Sequence, residues 1–331
     1  MASFGVEMEL LVKPKDNLFP MLVEYGYKQN NIQRINRNVV HAVIVKKFLE
    51  EEFPMELATE DSQYICNWLV ASDSSIKESS GFFGVEVITR ILYTNKDWVE
   101  EINDFWEILN LHFEILVDPS CGTHIHVRPV EGYTLVQLKS IAKLTTVFQP
   151  AITALIPVWR QNADWCRPNA EIVEPMQRAQ QQGRRALFDW IDSIPSKDSL
   201  WEEVSPNKIV AWNFRNAQEN GCGTVEYRQP PPVGSRNETK RWIAISLALF
   251  QTGIDPNFVY PVGNPTVENL KMALIGSAEQ LGISQWLTFD GASQHSTPIR
   301  SLTDAERQYL TTLKSYKPSI FAKNLERRRD F

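Results

Sequence analysis

The chain is 331 residues long, with 43% hydrophobic, 22% charged and 11% aromatic residues. That is enough for about two domains of roughly 150 residues, or one large mixed domain, and it excludes disordered, collagen-like and coiled-coil classes. Its 40 acidic and 34 basic residues leave a net charge of −6, which argues against nucleic acid or an anionic lipid surface as a partner. The opening residues, MASFGVEMELLVK, set acids inside the first apolar stretch, so neither a secretion signal nor a membrane span is expected. Cys66, Cys121, Cys166 and Cys222 form no CxxC pair and are expected to be reduced thiols of a cytoplasmic protein.

In chain order, residues 3–13 alternate between apolar and polar positions and predict a strand that carries Glu7 and Glu9 on one face. Helical spacing follows at Phe19, Leu22 and Val23 and over residues 39–49, before Pro54. Residues 68–76 predict a strand ending in a turn, and residues 82–89 a neighbouring strand with Glu86. A helix is expected over 96–114, then a strand in CGTHIHVRP, where His124 and His126 point the same way. A long helix over 135–156 ends near Pro157; residues 159–169 predict a loop and 174–190 one solvated helix. The last strands are expected at 209–214 and 223–229, separated by a turn at 219–221 and stopped by Pro230, Pro231 and Pro232. Helices over 239–252, 266–281 and 303–314 precede the basic run Arg327 to Arg329.

Strand after strand thus sets an acid or an imidazole on an otherwise apolar face: Glu7 and Glu9, Glu86, His124 and His126, Glu226. Ionised carboxylates gathered in one cleft repel and lose hydration unless a multivalent cation compensates them. Carboxylate oxygens with one imidazole suit Mg²⁺ or Mn²⁺ better than zinc, and an E-x-E pair can serve two neighbouring ions. Arg228 shares the face of Glu226, where a guanidinium suits the oxygens of a transferring phosphoryl group. Neither a P-loop nor a GxGxxG or nucleophile-elbow motif competes for this chemistry.

Six segments occur in order: FGVEME at 4–9, WLVASDSSI at 68–76, GVEV at 84–87, CGTHIHV at 121–127, WRQNADWC at 159–166 and TVEYR at 224–228. Together they resemble the amidoligase family, a branch of the glutamine synthetase and glutamate–cysteine ligase superfamily, over about residues 4–250. The resemblance implies a mixed α/β (α+β) fold: a curved, mainly antiparallel sheet with helices on its convex face. It implies an ATP-dependent carboxylate–amine ligase working through an acyl phosphate, with ATP and Mg²⁺ (or Mn²⁺) as cofactors and a small carboxylic acid and an amine as substrates. Carried onto this chain, Glu7, Glu9, Glu86, His124 and Glu226 are the metal ligands and Arg228 acts on the phosphoryl group. Residues 1–265 are then the catalytic domain, and 266–331 a helical extension packed on it.

Other residues keep two readings each. Glu7, Glu9 and Glu86 have a solvent-facing strand position as their alternative. His126 offers a nucleotide contact, a metal ligand or core packing, whereas His41, His112 and His295 lack motif context and are expected to be surface or structural. Asp73 offers a substrate amine or metal-bound water a partner, or caps its turn through Ser74 and Ser75. Arg160, Asn162 and Arg215 are candidates for gripping the substrate carboxylate, or form surface ion pairs. Trp165 and Trp212 either wall the cleft or belong to the core. Cys166 and Cys222 are expected to pack as small residues. The rival functions are a metal-dependent amide hydrolase, which lacks its multi-histidine signature here, and a non-catalytic nucleotide- or metal-binding member of the fold.

Overall fold

A computed structural model of the chain describes residues 1–28, 33–62, 65–79, 81–218, 221–263, 265–291 and 298–313, with no side-chain description at 33–35, 311 and 313. His295, the basic run Arg327 to Arg329 and most of the turn expected at 219–221 lie outside these residues. Contacts divide the chain into two compact units: an N-terminal one of Phe4–His124 with Pro231–Lys240, and a C-terminal one of Met1–Ser3, Ile125–Pro230 and Arg241 onward. Mixed α/β structure with mostly antiparallel strand pairing agrees with the class expected from the sequence.

The N-terminal unit is built on β1 (Ala2–Pro14), β2 (Met55–Leu57), β3 (Trp68–Ala71), β4 (Phe83–Ile88), β5 (Leu92–Tyr93) and β6 (Phe113–Leu116). Their order is β2-β3-β4-β1, with β5 and β6 also pairing β1; β2 and β3 run parallel, whereas β3–β4, β4–β1 and β1–β6 are antiparallel. Every residue from Val6 to Val12 is buried, so β1 is covered on both faces and its acids are not exposed edge positions. Its even-numbered face is apolar, from Phe4 to Val12, and Phe4 meets Trp98 edge to face at 5.6 Å. Helices Gln33–Glu50 and Trp98–His112 supply a core in which Phe105 stacks on both Phe48 and Trp68. Gly84 is required in β4, because a Cβ there would stand 2.9 Å from the Ile76 side chain.

A seventh strand, β7 (Thr123–Pro129), begins in this unit and continues into the other, the boundary falling between His124 and Ile125. In the C-terminal unit it pairs antiparallel with β9 (Val225–Tyr227), which pairs with β8 (Trp212–Asn213). The Leu135–Ala154 helix starts at a capping box: Thr134 accepts from the Gln137 N–H while Gln137 accepts from the Thr134 N–H. Pro150 removes one hydrogen bond inside that helix, and the Thr146 carbonyl accepts instead from Gln180 Nε2 at 3.3 Å. Beside Pro150 lies a buried polar knot: Trp212 Nε1 donates to Gln149 Oε1 (2.9 Å), and Gln149 Nε2 donates to Gln229 Oε1 (2.8 Å) and Thr153 Oγ1 (2.9 Å). The helix Val267–Gln280 packs on the Leu135–Ala154 helix.

Local departures from the sequence expectations have local causes. The single helix expected over 174–190 is two, Glu174–Gln181 and Arg184–Ser193, because Gly183 takes φ 111° between them. The strand expected over 209–214 narrows to β8, with Val210 bridging Arg167 instead. Phe113 and Glu114 belong to β6 rather than to the end of a helix, and the loop expected at 159–169 holds a helical turn over Val158–Gln161.

Candidate active site

Two strands and a turn of the N-terminal unit bring three carboxylates together. Antiparallel register sets Glu9 of β1 opposite Glu86 of β4, and Glu86 in turn lies opposite Ala71 of β3. Two residues past Ala71 the chain turns at Asp73, whose Oδ1 accepts the Ser75 N–H at 2.5 Å. One carboxylate oxygen each from Glu9, Asp73 and Glu86 lies within 4.8 Å of the others. Glu9 and Glu86 are each only 7% exposed, so water does little to screen their repulsion. Three hard oxygen donors at this spacing fit a divalent cation that takes carboxylates and keeps waters, Mg²⁺ or Mn²⁺. Glu7, on the same face of β1, meets the entry of β7, where His124 Nδ1 stands 3.1 Å from Glu7 Oε2 with both side chains buried. Each acid of the E-x-E pair thus serves a different neighbour.

The C-terminal unit carries a second group. His126 follows His124 by two residues on β7 and lies in register with Glu226 on β9. Glu226 is 3% exposed and held at both oxygens: Oε2 accepts from Asn213 Nδ2 at 2.8 Å, and Oε1 accepts from Arg228 Nη1. His126 Nε2 faces Glu226 Oε1 at 3.8 Å, and its Nδ1 is 3.2 Å from Thr224 Oγ1. Arg160, 5% exposed, donates from Nη2 to the Arg228 carbonyl at 3.3 Å. Its alternative as a surface ion pair is therefore set aside.

The remaining candidates stand elsewhere. Asn162 is exposed at the end of the Val158–Gln161 turn. Arg215 donates to the Pro206 carbonyl at 2.9 Å and lies 4.6 Å from the Trp201 ring, where burial lowers its pKa. Trp212 is a core residue stacked on Tyr227 at 4.1 Å, and Trp165 packs against the cluster of Ile209, Leu302 and Leu310. His41 is buried and structural, its Nε2 donating to the Gly84 carbonyl at 2.8 Å. Cys222 is partly buried, with Sγ 3.0 Å from Thr224 Oγ1. None of the four cysteines is in a disulfide.

Asp73, read from the sequence as a partner for a substrate amine or metal-bound water or as the cap of its turn, does cap the turn and also lies beside Glu9 and Glu86. Two contributions were missing from the sequence reading. Thr224 had a local signal, since it precedes Glu226 by two and therefore shares its face. Asn213 had none, because its meeting with Glu226 depends on the β8–β9 register.

Mixed α/β architecture with buried acids and imidazoles on adjoining strands defines a candidate cation-dependent enzyme. A family model described as "Putative amidoligase enzyme" matches residues 1–250, and the chain belongs to that family, which gives it a ligase-type function. A comparison with curated proteins found no match. Among the described residues no helix is long and apolar enough to cross a membrane.

Proposed function

We propose that this protein is an ATP-dependent carboxylate–amine ligase of glutamine synthetase-like fold, acting in the cytoplasm on a small carboxylic acid and a small amine. The observation that carries the reading is the close approach of Glu9, Asp73 and Glu86, two of them buried, in a chain of the amidoligase family. In this reading Glu9, Asp73 and Glu86, together with Glu7, His124 and Glu226, hold Mg²⁺ or Mn²⁺, and residues 1–265 carry the catalysis. When bound, such cations neutralise the phosphate oxygens of ATP and favour in-line transfer to the substrate carboxylate, turning a poor leaving group into a good one.

The chain's own residues then have separable tasks. Strand register holds Glu9 against Glu86 and the Ser75 N–H fixes Asp73, so the carboxylates are ordered before a cation arrives, which limits the entropy lost on binding. Asn213 and Arg228 fix the two oxygens of Glu226. Pairing through Nη1 aims the Arg228 guanidinium, a planar fork suited to a phosphoryl group in transfer. Burial of Arg160 beside the Arg228 carbonyl adds positive charge that suits the substrate carboxylate. The test is incubation of purified protein with ATP, Mg²⁺ and pooled acids and amines, read by mass spectrometry. One ADP and one phosphate per amide formed is expected; ATP-independent amide cleavage, or no turnover with any pool, refutes the reading.

A further inference from the structure

β8 pairs with β9 on one side, and a strand of two residues with a single partner strand is held by few hydrogen bonds. Its outer side is closed by side chains. The Trp212 N–H donates to Asn169 Oδ1 at 2.9 Å, and Asn169 Nδ2 donates to the Trp212 carbonyl at 2.8 Å and to the Val204 carbonyl at 2.9 Å. Two residues on, the Phe214 N–H donates to Ser205 Oγ at 3.0 Å. Trp212 and Phe214 are buried, as are Asn169, at 4% exposure, and Ser205. Without these side chains the backbone groups would stand unpaired away from water.

The local sequence explains why a side chain is needed there. Arg167 runs beside residues 209–211 as a strand would: its N–H donates to the Ile209 carbonyl at 2.9 Å, and its carbonyl accepts from the Ala211 N–H at 2.6 Å. Pro168 then has no N–H to offer, and Asn169 opens the helical turn Asn169–Ile172, so backbone pairing stops at Ala211. An asparagine amide carries the same donor and acceptor as a peptide group and takes over at Trp212. Its orientation is assigned from the network: the Trp212 N–H can only donate, and the two carbonyls can only accept.

We propose that Asn169 is a positioning residue for Glu226: by standing in for a neighbouring strand, it holds β8 so that Asn213 stays bonded to the carboxylate. Asn213 lies between the two residues tied on the outer side and opposite Glu226 on β9. Its Oδ1 accepts the Arg215 N–H at 3.1 Å, which leaves Nδ2 to donate to Glu226 Oε2 at 2.8 Å. Asn169 therefore acts on the carboxylate through Asn213, as outer groups fix the orientation of a liganding carboxylate.

Only the consequence for cation binding rests on the ligase reading. The test uses full-length protein with ¹⁵N-labelled asparagine, the Asn213 side-chain signals being those lost in Asn213→Ala. Asn169→Ala is expected to move them toward the position of a solvent-bonded amide. Mn²⁺ alone is the second probe, scored on the Mn²⁺ that Glu226→Gln fails to bind. Asn169→Ala should weaken that binding about 10-fold, and Asn213→Ala by at least as much. In the double variant the Asn169 change should add less than about twofold. Thr134→Ala, which removes the cap of the Leu135–Ala154 helix, controls for general loss of stability and should leave the Asn213 signals and the Mn²⁺ affinity as in wild type. Unmoved Asn213 signals in Asn169→Ala, wild-type Mn²⁺ affinity there, additive losses in the double variant, or an equal loss in Thr134→Ala overturns the proposal. If Asn169→Ala fails to fold, Asn169→Asp is read against the same outcomes, because it has the same shape and keeps the acceptor for Trp212 without the two donors. If Glu226→Gln binds as much Mn²⁺ as wild type, the reading of Glu226 as a ligand fails, and the Asn213 signals alone decide the proposal.

Discussion

Neighbouring residues on β9 have opposite fates. Strand alternation turns Glu226 and Arg228 to one face and Tyr227 to the other, where it is fully buried and stacked on Trp212. Burial drives the Tyr227 phenol pKa well above its usual value, and its hydroxyl has no hydrogen-bond partner among the described residues. A buried hydroxyl in that state costs about 1–3 kcal/mol. Tyr227→Phe is therefore expected to leave turnover near wild type and to hold or raise the urea midpoint. Arg228→Lys keeps the charge but loses the planar fork, so kcat should fall about 100-fold with little change in KM. A defect confined to KM for the amine would remove Arg228 from the phosphoryl-transfer role. The E-x-E and E-x-R acids were legible in the sequence because period-two alternation is a local property. Their partners were less so: that Glu9 meets Glu86 and Asp73, or that Asn213 meets Glu226, follows from register between strands distant in the chain.

At the scale of elements, His41 is a titratable group that ties the helix Gln33–Glu50 to β4, beside the Arg37–Glu78 pair whose carboxylate accepts the Gly84 N–H. His41 Nε2 donates to the Gly84 carbonyl, beside the glycine that lets Ile76 approach the strand. Desolvation lowers the His41 pKa, and the Arg37 charge adds to this. Because the folded value lies below the unfolded one, the unfolded chain takes up the proton first as pH falls. Stability contributed by the neutral ring is thus fully present above about pH 6.5 and declines through the window below it. His41→Gln keeps a donor for Gly84 but cannot protonate. It should flatten the loss of urea stability between about pH 6.5 and 5; a variant curve parallel to wild type would place that loss elsewhere. Long elements were legible because their periodicity is sustained: the capped Leu135–Ala154 helix and β1 lie close to their expected bounds. β2, β5 and β8 are two or three residues long and exist only through pairing, too short for any period to register. Two-sided burial of β1 likewise reflects what packs on it rather than its alternating pattern.

For the molecule as a whole, a net charge of −6 matters less than where the carboxylates stand. Two ionised carboxylates at about 4 Å repel by roughly 4 kcal/mol at an effective dielectric near 20, and Glu9, Asp73 and Glu86 form three such close pairs with oxygens within 4.8 Å. The metal-free fold carries that repulsion, and a cation that binds only the folded chain removes it. At a hundred times its dissociation constant such a cation adds about 2.7 kcal/mol, and with an unfolding entropy of about 2.1 cal/mol/K per residue each kcal/mol raises the melting temperature of a chain this size by roughly 1.5 °C. Saturating Mn²⁺ should therefore raise the calorimetric midpoint by roughly 4 °C, and excess chelator should reverse it. Glu86→Gln separates the two sides of this balance. Removing one charge relieves the repulsion, so its metal-free midpoint should equal or exceed that of wild type, whereas loss of a ligand should abolish most of the rise with Mn²⁺. The crossing of the two curves is the signature: a variant more stable than wild type without cation and less stable with it. A Glu86→Gln protein that melts lower in chelator and still gains the full increment with Mn²⁺ would mean that Glu86 is a packing residue and that the cation binds elsewhere.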